Sequence, residues 1–270
     1  MAFSLGPRAA SAGYRLAVFD RIGSTNAEAL MRARAGETGP IWLVAAEQTA
    51  GRGRRQRSWI SPPGNLACSV LEVIDISPAV AATLSFAAGL ALEAALRSVS
   101  LEARMRSPGS ENVTFHLKWP NDVLADGKKL AGILLEAEIV EHDRLAVVVG
   151  IGANVVAAPE GMPYPAVALR DLGIDIGAED LFRALTDAWT EFRTIWDEGR
   201  GFGGIRRLWL DRAAGVGQHV SIRSDSSTIS GLFDTIDKNG CLIVATSDGK
   251  RVAVSAGDVY FGAAASVGAT

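Results

Sequence analysis

Cysteine is almost missing from this chain: two in 270 residues, Cys68 and Cys241, 173 positions apart. With no C-x-x-C partner for either, neither a disulfide framework nor a cysteine zinc site is suggested, and each thiol reads as a small buried apolar side chain. Histidine is equally scarce, and His116, His142 and His219 lack ligand spacing, so a structural reading is favoured for each. Long apolar runs are also wanting. The stretch from Ala79 to Ala95 is Ala-rich and broken by Thr83, Ser85 and Glu93, and Met1 to Gly13 holds no continuous segment of signal-peptide length. A cytoplasmic soluble protein with no membrane partner is the expectation. Net charge is only −3, which argues against a protein that coats nucleic acid, although local phosphate binding stays open. Internal repeats and low-complexity tracts are lacking as well. What is present is a 48% hydrophobic chain, long enough for one large domain and one small one.

The one concentration of charge is Gly51-Arg52-Gly53-Arg54-Arg55-Gln56-Arg57-Ser58-Trp59. Four arginines within six residues cannot all be buried, and two glycines let the backbone take conformations that β-carbons forbid. Arginine forks suit phosphate and carboxylate oxygens, and glycine lets backbone N–H groups approach the same anion. A solvated basic turn has the same composition. Its setting favours a ligand loop: Ile41 to Ala46 reads as a buried strand, and α/β proteins place ligands where loops leave strand ends.

Elsewhere, Tyr14 to Phe19 reads as a strand. Thr25 and Glu28 have capping-box form before a helix over Ala27 to Ala35, with Gly36 as its stop. Ser24 and Thr25 either cap this helix or also hold a polar ligand head. Leu66 to Ile74 reads as a strand and Ser77-Pro78 as the start of a helix to about Arg97, with Arg104 to Asn112 a surface excursion. Phe115 to Lys118 should be a strand stopped by Pro120. Asp126-Gly127 then turns the chain back into a strand over Leu130 to Glu136, gathering Lys118, Asp122 and Lys128-Lys129 in one hairpin. The ammonium groups and carboxylate there suit a negatively charged reacting centre; surface salt bridges are the alternative. Leu145 to Ile151 is a buried strand running into Gly150-Ile151-Gly152-Ala153-Asn154. Leu181, Phe182, Leu185, Trp189, Phe192 and Trp196 form the core stripe of a helix over Glu179 to Glu198, and a further helix spans about Gly204 to Asp211. From Gly217 five short strands are expected (219–223, 227–237, 241–245, 251–254 and 258–261), suggesting a small barrel.

Five stretches in this order resemble the biotin protein ligases, also called biotin–acetyl-CoA-carboxylase ligases. They are Ser24-Thr25-Asn26, Glu47 to Arg55, Lys118-Trp119-Pro120-Asn121-Asp122, Lys129-Leu130-Ala131-Gly132 and Gly150 to Asn154, and the match covers about Leu16 to Phe261. The resemblance implies an α+β fold: a mixed β-sheet with flanking helices, class II synthetase-like, plus a small C-terminal SH3-like β-barrel. It implies a tail (1–13), a catalytic domain (14–213), the small domain (214–261) and a second tail (262–270). It further implies ATP, Mg2+ and biotin, a biotinyl-5′-AMP intermediate, and transfer to a lysine of a biotin carboxyl carrier protein. Family correspondence puts Ser24, Thr25, Asn26, Gln48, Gly51, Arg52, Gly53, Arg54, Lys129 and Gly132 at biotin. It puts Arg52, Arg54, Arg55, Arg57, Trp59, Asn121, Lys129, Gly152 and Asn154 at the nucleotide. Lys129, Arg54, Lys118 and Asp122 are then the catalytic set, with Asp122 orienting the incoming lysine and no side chain directly assigned as a metal ligand. A loop ordering over the adenylate would protect it from water.

Gln56 stands where the family loop usually carries glycine, which bears on loop closure. No room precedes Tyr14 for the helix-turn-helix domain of bifunctional relatives, so a ligase without DNA binding is expected, with homodimer formation through the central sheet open. A lipoate or octanoyl ligase, and a sensor that binds biotin or nucleotide without turnover, are the rival readings.

Overall fold

A strand apolar on both faces needs a covering layer on each side of its sheet. That requirement organises the computed structural model, which describes residues 2–106, 112–140, 143–161, 164–223 and 227–261. A short helix α1 (Pro7–Ser11) precedes β1 (Arg15–Ile22), α2 (Thr25–Arg34), β2 (Ile41–Gln48) and, past the basic loop, β3 (Leu66–Ile74). Helices α3 (Pro78–Ala82) and α4 (Leu84–Arg106) follow, then β4 (Phe115–Lys118), β5 (Asp122–Ala125), β6 (Lys128–Ile139) and β7 (Leu145–Ala153). The chain continues with α5 (Ala178–Trp196), α6 (Phe202–Leu210), β8 (His219–Arg223), β9 (Thr228–Ile236), β10 (Leu242–Ala245), β11 (Arg251–Val254) and β12 (Asp258–Phe261).

Seven strands make one sheet in the order β1-β2-β3-β7-β6-β5-β4, and five make another in the order β11-β10-β9-β8-β12. In the first, β1 pairs parallel with β2 and the other neighbours pair antiparallel, so the sheet is mixed. Side-chain alternation sorts its two faces. Trp42, Val44, Val70, Val147 and Val149 join the core shared with α4 and α5, whereas Leu43, Leu71, Ala146 and Val148 pack with Ala29 and Ala33 of α2. The stripe expected on α5 is buried in full. Trp42 meets Phe182 and Trp189 edge-on at 5.6 and 5.9 Å. The span Pro78–Arg106 is long and apolar enough to cross a membrane, yet most of it is buried in protein.

Differences from the sequence reading have local causes. The helix opening at Ser77 breaks at Thr83, whose hydroxyl donates to the Val80 carbonyl at 2.7 Å and accepts from Trp196 Nε1 at 2.8 Å. Beyond that break α4 runs on to Arg106, so 104–106 of the expected surface excursion are helical; 107–111 lie outside the described residues, as do His142 and the expected tail 262–270. The segment expected as an N-terminal tail docks on α5. Gly6 N–H donates to Thr186 Oγ1, and Arg8 and Ala9 N–H groups donate to Asp187 Oδ1, a carboxylate at a helix N-terminus. The five C-terminal strands fall where expected, as an antiparallel sheet fastened to the larger unit by Trp119 Nε1 on the Gly240 carbonyl (3.1 Å) and Arg206 on the Ile236 carbonyl (2.8 Å).

Candidate active site

The chain turns from β1 into α2 with Ser24 as the capping residue, its Oγ accepting from Ala27 N–H at 3.4 Å. Thr25, expected in that role, is one residue inside the helix, and its N–H and Oγ1 both donate to Gln48 Oε1, at 2.8 and 3.0 Å. Ser69 Oγ lies 2.7 Å from Thr25 Oγ1 and 2.6 Å from Asn26 Oδ1, while Asn26 Nδ2 donates to Glu136 Oε2 (2.7 Å) and the Leu134 carbonyl (3.2 Å). Gly150 makes room for this amide: a β-carbon there would sit 2.1 Å from Asn26 Oδ1. A buried polar cluster is stable when its members satisfy one another, and this one fixes the α2 N-terminus against the sheet.

The basic loop is an antiparallel excursion. Isolated bridges join Gln48 to Ser61 and Arg52 to Ser58, and Trp59 N–H donates to the Gly51 carbonyl at 2.9 Å. Its tip, Arg54–Gln56, is a tight turn with Arg55 and Gln56 at φ +53° and +57°. Trp59 comes back over the sheet. Its indole lies so close to the main chain that a β-carbon on Gly152 would be 2.3 Å from Nε1, and one on Gly132 would be 3.3 Å from Cζ3. Trp59 Nε1 is buried with no hydrogen-bond partner among the described residues.

Around a cleft of about 370 Å³ the charges converge. Lys129 Nζ pairs with Asp122 Oδ1 at 2.7 Å and lies 5.1 and 5.8 Å from the ring centres of Tyr164 and Trp59. Lys118 stands over the Phe261 ring at 5.4 Å. Arg54 donates to Asn121 Oδ1 at 3.3 Å, and Asn121 Nδ2 in turn donates to the Ile133 carbonyl at 2.6 Å. Arg52 reaches Glu136 at 3.4 Å, and Arg57 and Arg55 reach Asp258 Oδ2 at 2.5 and 3.3 Å. Burial pushes Lys118 below the ordinary lysine range, with Lys129 adding to the shift and Asp122 and Asp258 opposing it. Arg54 is likewise lowered, first by burial and then by Arg55. Such a site favours an anion that restores these cations' charge balance. Among the described residues no group of three His, Cys, Asp or Glu side chains is placed to hold a metal ion.

Of the residues expected at the site, Ser24, Thr25, Asn26, Gln48, Arg52, Gly53, Arg54, Arg57, Trp59, Lys118, Asn121, Asp122, Lys129, Gly132 and Gly152 line this cleft. Three stand elsewhere. Gly51 lies beneath the loop's own ladder, where a β-carbon would meet the Trp59 carbonyl; Arg55 turns to Asp258; Asn154 is buried, its Nδ2 on the Val167 carbonyl at 3.3 Å. Lys128, grouped with the hairpin charges, is exposed. Ser69, Glu136, Tyr164 and Asp258 were not singled out from sequence. Ser69 alone left a trace there, as a hydroxyl inside an apolar strand.

Residues 18–154 match the biotin/lipoate A/B protein ligase family, and residues 215–262 match the biotin protein ligase C-terminal domain. The biotin–[acetyl-CoA-carboxylase] ligase of Paracoccus denitrificans is 38% identical over 248 residues, spanning 90% of this chain and 98% of that protein. A biotin protein ligase from Aquifex aeolicus in complex with biotin and ATP superposes with a TM-score of 0.73 at 24% identity, covering 92% of this chain and 99% of the other. The biotin protein ligase of Leishmania major in complex with biotinyl-5-AMP gives 0.60 at 26% identity, covering 90% and 99%.

Proposed function

Because the chain belongs to the biotin protein ligases, within the biotin/lipoate A/B protein ligase family, we propose that it activates biotin with ATP and passes it to a carrier lysine. The carrier is the biotin carboxyl carrier protein of an acetyl-CoA carboxylase, the enzyme named for the Paracoccus relative. In the first step a biotin carboxylate oxygen attacks the α-phosphorus of ATP, the bond to the bridging oxygen breaks, and pyrophosphate leaves with its electrons. Biotinyl-5′-AMP remains. In the second, the neutral ε-amine of the carrier lysine attacks the acyl carbon, AMP departs, and the nitrogen loses a proton.

The observation that carries this reading is the Lys129–Asp122 pair at 2.7 Å within a cleft that Arg54 and Lys118 also line. Two anions must be brought together before either step, and fixed cations lower the repulsion between them. Lys129, hemmed by Tyr164 and Trp59, takes the carboxylate and α-phosphate in this reading, and Arg54 and Lys118 take the remaining phosphate charge. Asp122 holds Lys129 before substrate arrives and faces the amine afterwards. Ser24, Thr25 and Gln48 line the end at the α2 N-terminus, where a neutral polar head such as the biotin ureido ring finds donors and acceptors. The acidic lining residues, Asp122 and Asp258, are both engaged with cations, so a magnesium ion would come with the triphosphate rather than wait in a protein site, and Asp122, beside Lys129, would be the carboxylate available to it. That ion would neutralise phosphate charge and ease departure of pyrophosphate.

The test is transfer of biotin to a purified carrier domain in the presence of ATP and magnesium. Transfer by the native chain should fall by a factor on the order of 100 or more in Lys129→Ala. Absence of both biotinyl-5′-AMP and biotinylated carrier from the native chain refutes the reading.

A further inference from the structure

The basic loop belongs to the larger sheet, yet its tip is held by the smaller one. Asp258 opens β12, and its Oδ2 accepts from Arg57 Nη2 at 2.5 Å and lies 3.3 Å from Arg55 Nη1. Gly257, just before it, is pressed against β8: a β-carbon there would meet Ile222 Cγ2 at 2.4 Å. The carboxylate therefore projects from a backbone whose position is set by packing. On the loop side, two successive residues without glycine's freedom, Arg55 and Gln56, take left-handed conformations. This tight turn presents the guanidinium groups of Arg55 and Arg57 to one oxygen. Left-handed backbone at two such positions needs compensation from the surroundings, and paired charge-assisted hydrogen bonds supply it. Arg54 precedes this turn and Trp59 follows two residues after Arg57, so both cleft groups ride on the segment that Asp258 holds.

We propose that Asp258 is the positioning residue through which the C-terminal sheet holds the basic loop closed over the site, placing Arg54 and Trp59 and retaining the acyl-adenylate. Retention of that intermediate rests on the ligase reading; the latch itself does not. Because the Arg57 partner is half exposed, the latch is weak enough to open for substrate entry and product departure.

The experiment compares the native chain with Asp258→Asn and Asp258→Glu in two assays. Ligand-free protein is treated with chymotrypsin, and cleavage after Trp59 is followed by mass against cleavage elsewhere. Separately, escape of radiolabelled biotinyl-5′-AMP is timed in the absence of carrier. Asp258→Asn should raise loop cleavage and adenylate escape by about three- to fivefold each, with other sites cut as before, and Asp258→Glu should restore both. Unchanged loop cleavage, unchanged escape, or a general rise in cleavage along the whole chain overturns the proposal. If the native chain makes no adenylate, the ligase reading fails, and the chymotrypsin comparison still decides the latch.

Discussion

Gly150→Ala tests whether the polar cluster beneath the site is held together as described. An added β-carbon would lie 2.1 Å from Asn26 Oδ1, 2.8 Å from its Cγ and 3.0 Å from Nδ2, so the whole amide has to leave. With it go the hydrogen bonds to Ser69, Glu136 and the Leu134 carbonyl. At about 1 kcal/mol net for each, and more for the one to a carboxylate, the loss is roughly 3–5 kcal/mol. Alanine is preferred over glycine in a strand by about 0.5–1 kcal/mol, leaving a net destabilisation near 3 kcal/mol. For a chain of this size that is a fall in Tm of roughly 6–12 °C. Thermal unfolding followed by circular dichroism measures it, and a double-mutant cycle identifies the cause. In Asn26→Ala protein the clash has no partner, so Gly150→Ala should cost little there, with a coupling energy of about 2–3 kcal/mol. Equal penalties in both backgrounds would refute the argument. Biotin binding should weaken with the single variant as well, since Thr25 adjoins Asn26 at the cleft.

Two further outcomes follow from the loop and the hairpin. Gln56→Gly removes a left-handed strain of about 1–2 kcal/mol while freeing the open loop by about 0.5–1 kcal/mol, so chymotrypsin cleavage at Trp59 should slow by roughly two- to fivefold; Gln56→Val should speed it, and identical rates for the two variants would sink the idea. Lys118, observed by NMR after reductive 13C-methylation, should titrate below the ordinary lysine range, and further below it in Asp122→Asn, because Asp122 favours the charged form. The unfolded chain binds that proton more tightly than the folded one. Stability relative to Lys118→Met should therefore rise with pH across the interval between the folded and ordinary lysine values, and a flat difference would count against a buried ammonium group.

Elements with strong local signals are legible in the sequence. The strand over Leu66 to Ile74 and the six-residue stripe of α5 fall where periodicity put them, and Asp126-Gly127 turns with both φ values positive, as that pair demands. The α3–α4 break was not legible, because it depends on the Thr83 hydroxyl meeting Trp196 from a distant helix. Nor was β5, a strand of four residues paired on both sides, visible in a stretch that reads as one hairpin. The cleft divides in the same way. Lys129, Arg54 and the glycines stand within recognisable runs, whereas Glu136 lies 110 positions from Asn26 and Asp258 lies 201 from Arg57. No periodicity connects residues so far apart. Only the sheet order, with β6 beside β7 and β12 brought to the loop, puts them in contact.

The energetics of the cleft explain why so many cations sit together in a folded protein. Arg54 and Lys118 are both held below their ordinary pKa by burial, which means that their charged forms are less comfortable in the empty cleft than in water. The negative charges of Asp122 and Asp258 oppose part of this, but Asp122 is already engaged with Lys129 and Asp258 with the loop arginines, and neither neutralises the whole cluster. A bound carboxylate and triphosphate would supply the missing negative charge where the cations are least solvated, and therefore where each interaction is strongest. Asp258 also tempers the charge of the loop. Its carboxylate offsets part of the charge of Arg57 and Arg55. Arg54 and Lys118, the two cleft cations that burial depresses, are positioned by the turn at Arg54–Gln56 and by the larger sheet.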